Sequence, residues 1–380
     1  MRFLTWVGLL LVGCSGLPQA NLRIATGDSG EGLEPHRRLV RLFEQRHPGL
    51  RVQLEPVSGG DYYTRLLTQL AAGDPPDVVH LGDDALASFV QRQALLPLQP
   101  LQANDYLAGV LTPGAGYLVP KDFTPLVCYC NARLFRQAGL ALPKPDWSWQ
   151  DFVQLAVRLK ADVPGPRSGF LEYLAALENA DWSDFSGPSR ELAVARLQEL
   201  VARGGCTLPD DLGAFDGGLS NFEEGRAAMK ISGRWPLEGL RQQKDLELVV
   251  LPPPRGSERA NILYWSGLGV SKRSSHPELA QEYLQLASSS QGSRIWSGWA
   301  LPARKDVAAE TARKPFESVF LDEMPHLVER TYQHQANWGQ LGGPALVRLH
   351  EAALLYPGRP AAQLLAEQAA RLELERAALP

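Results

Sequence analysis

Four tryptophans stand beside glycine in the sequence: Gly233-Arg234-Trp235, Trp265-Ser266-Gly267, Gly298-Trp299 and Asn337-Trp338-Gly339. An indole at a segment end offers a flat, rigid, apolar face and has few rotamers to lose. Such a face stacks on the C–H face of a sugar ring, whose hydroxyls then need Asp, Glu, Asn or Arg held in place. The same rings also fill cores and interdomain seams. Motifs for covalent chemistry are weaker. Gly27-Asp28-Ser29-Gly30 mimics the nucleophile loop of trypsin-like proteases, but no barrel strands precede it to supply the His and Asp. The chain has no G-x-S-x-G elbow, no G-x-x-x-x-G-K-[ST] phosphate loop and no H-E-x-x-H zinc motif. Its seven His are scattered. A carboxylate pair for glycoside hydrolysis stays open, because the two acids need not be near each other in the chain. Glu223-Glu224 reads as a solvated helix turn.

The elements that would position such groups alternate. Leu22–Thr26 reads as a short apolar strand, then comes the Gly-rich loop, then a helix with Leu39, Leu42 and Phe43 on one stripe. His47-Pro48-Gly49 stops that helix, and Leu50–Val57 alternates as a second strand. Asp61 can cap a helix carrying Leu66, Leu67 and Leu70, and Asp77–Leu81 is a third strand. This order predicts a parallel α/β sheet with right-handed crossovers. Further strands are expected near Pro125–Tyr129, Leu246–Leu251 and Asn261–Ser271. Helices are expected over Trp149–Leu159, Glu191–Ala202, His276–Ala287 and the C-terminal stripe Leu365, Ala369, Leu372. The Pro-rich breaks near 119–125 and 252–254 are the expected crossings between domains.

With 380 residues the chain is long enough for about two domains. A content of 44% hydrophobic and 21% charged residues is that of a globular protein with a sizeable core. The formal charge of −4 argues against a nucleic-acid binder. Met1-Arg2 precedes an apolar run, Phe3–Gly13, well short of the roughly 20 residues of a membrane span. It reads as the apolar region of an export signal. Leu11-Val12-Gly13-Cys14 resembles a bacterial lipobox, which implies cleavage before Cys14 and a lipid on that cysteine. Cys128 and Cys130 point to one face of a strand, so a bridge between them would strain. Buried free thiols are expected, with a bridge from Cys206 to one of the pair as the alternative in an oxidising compartment.

Five ordered segments carry a family resemblance. They are FEQRHPGLRV (43–52), YYTRLLTQLAAGDPPDVV (62–79), the stretch 120–140 with Trp149, NFEEGRAAMKISGRW (221–235), and Gly267–Lys272 with Leu301-Pro302-Ala303-Arg304. Together they resemble the sugar-binding extracellular solute-binding proteins of bacterial ABC importers, the maltose-binding-protein-like family. Tyr129-Cys130-Asn131 keeps only one of the two tyrosines usual before the Asn, and Trp265-Ser266-Gly267 replaces the usual Gly-Gly. The resemblance implies an α/β type II binding-protein fold of two hinged lobes with a ligand cleft. A signal peptide (1–13) and a lipidated tether (14–20) would precede them. One lobe would combine 21–121 with 262–310 and the other 122–261 with 311–380.

Strand ends would face the cleft. Asp28, Ser29 and Glu31 would then follow the first strand and Asp83 and Asp84 the third, with Trp235, Trp265, Ser266, Trp299 and Trp338 as further ligand contacts. Tyr62 is as much a packing residue as a contact, and Asn131 and Phe135 are structural. The implied protein is a monomeric receptor for a mono- or oligosaccharide, without cofactor, metal or catalytic residues. It would be exported, lipid-anchored at the periplasm or cell exterior, and would serve a separate permease and ATPase. The alternatives are a receptor of this fold for a glycerol phosphodiester or a metal chelate, and an exported glycosidase.

Overall fold

The computed structural model describes residues 22–57, 62–99, 103–107, 110, 116–163, 169–207, 221–335 and 337–378. The signal 1–13, the tether 14–20 and Cys14 lie outside the described residues. Among the described residues, eleven strands form two sheets. They are β1 (Leu22–Thr26), β2 (Val52–Pro56), β3 (Val78–Gly82), β4 (Val119–Pro125), β5 (Val127–Asn131), β6 (Ala161–Asp162), β7 (Cys206–Thr207), β8 (Met229–Ser232), β9 (Leu248–Leu251), β10 (Leu263–Val270) and β11 (Leu301–Pro302). The first sheet has the order β11-β4-β10-β3-β1-β2 and the second β7-β6-β8-β5-β9. β1, β2 and β3 run parallel, joined through the helices Leu33–Arg46 and Tyr62–Ala72, as the alternation predicts. β10 is antiparallel to both β3 and β4, so the late strand closes a sheet begun at the N-terminus.

Apolar stripes account for the packing. Leu39 and Phe43 of the helix Leu33–Arg46 bury against Tyr283 and Trp296 over β1. In the second lobe Trp149, Phe152, Trp182, Leu197 and Leu349 surround Cys128 and Cys130. The helix Trp149–Leu159 starts in a reciprocal capping box between Ser148 and Asp151, worth about 1 kcal/mol. The two strand thiols share a face, with sulfurs 3.9 Å apart, and all three described cysteines are free. Glu223 and Glu224 lie in a turn instead of a helix, where Glu223 meets Lys230 at 3.2 Å and Glu224 meets Arg226 at 2.5 Å.

Among the described residues the chain passes between the two sheets and their helices at three places. The first is Leu126, between β4 and β5, so the expected boundary at 121/122 falls inside β4. The expected crossing at 252–254 is displaced. Those prolines stay in the second lobe, where the Pro252 carbonyl accepts from the Trp147 indole at 2.9 Å and the Pro254 carbonyl accepts from the Tyr173 hydroxyl. The second crossing is Asn261–Ile262 and the third is His326–Val328. Asn261 joins all three. Its side chain accepts the Leu126 N–H at 3.0 Å and donates to the Leu126 carbonyl at 2.8 Å. Its backbone N–H donates to the His326 carbonyl and its carbonyl accepts from Val328, both at 2.8 Å. Glu323, buried, receives the Asn261 amide at 2.9 Å. Among the described residues no helix is long and apolar enough to cross a membrane.

Candidate functional site

The first-lobe wall begins where β1 ends. Asp28 donates its N–H to Thr26 Oγ1 at 3.1 Å, which curls the loop back on the strand. Its carboxylate turns inward, within 2.7 Å of His36 Nε2 and 2.9 Å of Lys121 Nζ. Burial alone would raise the Asp28 carboxyl, but the positive charge of Lys121 and the hydrogen bond from His36 hold it well below the usual range. Burial pushes His80 down to about 3 and lowers His36, so both rings are neutral at physiological pH. Donor atoms of Asp28, His36 and His80 lie within 4.8 Å of one another, a spacing that suits a small cation. Lys121 Nζ also lies 3.2 Å from His80 Nε2, so an ammonium already supplies that charge and the set does not fit a metal. Ser29 is exposed, and the side chain of Glu31 lies outside the described residues.

At the end of β3 the two aspartates part. Asp83 is buried and its N–H donates to the Trp265 carbonyl at 3.2 Å. Asp84 is exposed and accepts from the Tyr63 hydroxyl at 3.2 Å. Crowding by protein atoms, then the neighbouring Asp83 carboxylate, push the Asp84 carboxyl up to about 6, although its open side tempers the effect. Tyr62 packs under this wall, its ring beside Gly27 and its hydroxyl on the Ala25 carbonyl at 3.1 Å.

The second-lobe wall is carried by the turn after β8. Gly233 lies flat beneath the Trp235 ring, and a Cβ there would stand 2.3 Å from it. Arg234 turns inward, is 1% exposed, and meets Glu317 at 2.7 Å and Glu238 at 2.8 Å. Its N–H donates to Thr124 Oγ1 of β4 at 2.9 Å, and its Nη1 donates to the Trp299 carbonyl. This anchoring leaves Trp235 projecting with 42% of its surface exposed, edge-on to Tyr264 at 5.8 Å. Trp299 is half-buried with its ring over Gly32, where a Cβ would come within 3.2 Å. Trp235, Trp299 and Asp84 thus each have a neighbour across the lobe boundary, in Tyr264, Arg234 and Gly339 respectively, while Ser29 lies on the exposed loop after β1. Trp265 and Trp338 are each only 5% exposed. Trp338 packs face-tilted on Tyr332 at 4.1 Å. Ser266 is half-buried, its hydroxyl on Asp122 at 2.6 Å.

Comparison with known proteins fixes the family. The sequence profile described as "Bacterial extracellular solute-binding protein" matches residues 34–293, well over half of the chain. The chain belongs to this family. A lipoprotein of Streptomyces antibioticus named for the oleD 5' region is 31% identical over 166 residues, 40% of this chain and 37% of that protein. This chain thus aligns with under half of that relative's length. Among solved structures, the ABC substrate-binding protein Lmo0181 of Listeria monocytogenes with cycloalternan has a TM-score of 0.81 at 19% identity, covering 93% of this chain and 98% of that one. UgpB of Mycobacterium tuberculosis with glycerophosphocholine has a TM-score of 0.77 at 19% identity, covering 94% and 99%. The fold is that of the two-lobed type II binding proteins. The family is one of receptors and not of enzymes.

The solute-binding protein also has a buried residue at the lobe boundary that the sequence did not reveal. Arg330, just past the third crossing, lies against the faces of Tyr264, at 4.4 Å, and Tyr332, at 5.9 Å. It pairs with Asp83, and its Nη1 meets Glu172 at 3.1 Å. Glu172 also accepts from the Tyr264 hydroxyl at 2.7 Å. That hydroxyl fits only because position 169 is glycine, where a Cβ would lie 1.4 Å away. Arg330 is distant in sequence from every partner except Tyr332, so no local motif marks it.

Proposed function

We propose that this receptor captures a carbohydrate between its lobes and delivers it to an ABC permease from a lipid anchor on Cys14. The observation that carries the reading is Trp235, held at 42% exposure on a glycine platform at the lobe boundary. A large aromatic left open at the lobe boundary, with an exposed carboxylate, Asp84, at the end of β3, suits a ring with one apolar face and a hydroxyl rim. Trp299 is the second stacking surface and Ser29 a further hydroxyl partner. Asp28 and Asp83 act on the ligand through the backbone that they position. Ser266, through Asp122, and Trp265 and Trp338, as packed supports, shape the floor. Glu31 completes the expected set. The cycloalternan complex of Lmo0181 supports this choice.

The glycerophosphocholine complex of UgpB favours a second reading, a glycerol phosphodiester. A phosphate needs uncommitted cations or helix N-termini. Here Arg330, Arg234 and Lys121 each face two carboxylates. That balance supports a neutral ligand.

Completing the closure about the Asn261 hinge then draws on ligand contacts to both lobes. The receptor acts as an exported monomer at the outer face of the membrane. The anchor raises its encounter rate with the permease. Trp235→Ala is expected to weaken binding of the cognate sugar by about 2 kcal/mol or more, roughly thirtyfold in Kd, as measured by calorimetry. Unchanged affinity would remove Trp235 from the site.

A further inference from the structure

We propose that Arg330 is an interlobe tie that holds the receptor part-closed before any ligand arrives. Its neighbours belong to both lobes. Asp83 follows β3 of the first sheet, and the Leu263 carbonyl, which accepts from Arg330 Nη2, opens β10 of the same sheet. Glu172 lies on the second-lobe helix Phe170–Ala176, and Tyr332 packs on Trp338 in the second-lobe core. The Arg330 side chain is 5% exposed and that of Asp83 8%, so the pair is largely shielded from salt.

Opening the cleft about Asn261 would draw Asp83 away from Arg330 and wet both charges. A buried charge that loses one partner is costly, so the contact favours the closed arrangement without a ligand. The neighbouring segment also packs close to the first lobe. Trp338–Gly342 forms a single π turn, and a Cβ at Gly339 would stand 3.5 Å from the Asp84 carbonyl of the first lobe. The ligand therefore enters a cleft whose floor is already joined, and part of the cost of closing is met by the chain itself. This consequence for affinity rests on the receptor reading, while the tie itself does not.

The test uses no sugar. Small-angle scattering is recorded on the ligand-free receptor beginning at Ser15, for the native chain, Arg330→Met, Asp83→Asn and the double variant, with circular dichroism to check that each is folded. The native profile is expected to be more compact than that of an open two-lobed arrangement. Each single variant is expected to give a larger radius of gyration, and the double variant no further increase, because the two residues act through one contact. A shift of about tenfold in the closed-to-open ratio is expected from a desolvated interlobe pair. A native profile that is already open, or variant profiles that superimpose on the native one, would overturn the tie. So would expansions that add in the double variant, since they would reflect two independent packing defects. A failed sugar screen would leave this outcome untouched.

Discussion

Glu317→Ala is expected to lower the stability of the folded receptor by about 3–5 kcal/mol. Glu317 is 0% exposed and Arg234 1% exposed, and the guanidinium presents Nε and Nη2 to the two carboxylate oxygens at 2.9 and 2.7 Å. Arg241 reaches the same carboxylate at 3.1 Å. Removing Glu317 leaves two guanidinium groups with only Glu238 between them, one of them buried. That is the costly case, in contrast to replacing both partners with apolar groups. The measurement is the urea midpoint at constant slope, together with the thermal midpoint, which should fall by roughly ten degrees. Glu317→Gln keeps the acceptor oxygen and should fall between the native chain and the alanine variant. The loss should also reach the ligand, because Arg234 bridges Thr124 and Trp299 and directly precedes Trp235. An unchanged midpoint would show that the Arg234 charge finds solvent by another route.

Acidification below about pH 6.5 is expected to destabilise the receptor well before ordinary carboxylates protonate. His36, His80 and His350 are fully buried or nearly so, and burial lowers all three, His80 and His350 to about 3. The groups facing His80 are Lys121, Asp28 and His36. Those facing His36 are Asp28, Lys121 and Asp122, with the Trp296 ring edge-on at 4.8 Å. His350 meets no protein partner among the described residues.

A folded-state imidazole that stays neutral while the unfolded chain protonates near pH 6.5 makes the unfolded state the better proton binder. Stability therefore falls as pH falls from 6.5 towards 3. Asp84, raised to about 6, and Glu323, raised by burial, act in the opposite direction, Asp84 weakly because it is open to water. Asp28, held low by Lys121 and the hydrogen bond from His36, adds its loss only below about pH 4. His80 and His350 each contribute a decrease of about 2 kcal/mol between pH 7 and pH 5, to which His36 adds and from which Asp84 and Glu323 subtract. Denaturant titrations across that range measure it. His350→Leu should flatten the slope by about one proton, and a slope unaffected by that change would contradict the assignment.

The scaffold was readable where short-range pattern decides structure. Leu22–Thr26 and Asp77–Leu81 are apolar runs bounded by turn residues, and they are β1 and β3 to within a residue. The helix Leu33–Arg46 ends at His47-Pro48-Gly49 because Gly49 takes φ +92°, which the motif anticipates. The hinge was not readable. Asn261 is one polar residue in an apolar stretch, and its partner Leu126 is 135 residues away. The Pro-rich run 252–254 gave a stronger local signal for a break and turned out to be a packed corner of one lobe. The same limit separates the tryptophans. All four adjoin glycine or lie one residue from it, yet Gly233 lifts Trp235 outward while Gly342 receives the Trp338 ring, where a Cβ would lie 2.0 Å from it. Asp28 was correctly placed after β1, but Lys121, which turns it inward, is 93 residues on. Arg330 and Asp83 are 247 residues apart, so only the folded chain brings them together.

The central claim is capture of a sugar against Trp235. Intrinsic tryptophan fluorescence of the receptor beginning at Ser15 tests it, titrated with mono- and oligosaccharides and with glycerol phosphodiesters and ferric chelates alongside. The account predicts a saturable spectral shift for one saccharide series, absent in Trp235→Ala. A saturable response to a phosphodiester or a chelate, with none to any saccharide, would contradict it and transfer the cleft to the other solute.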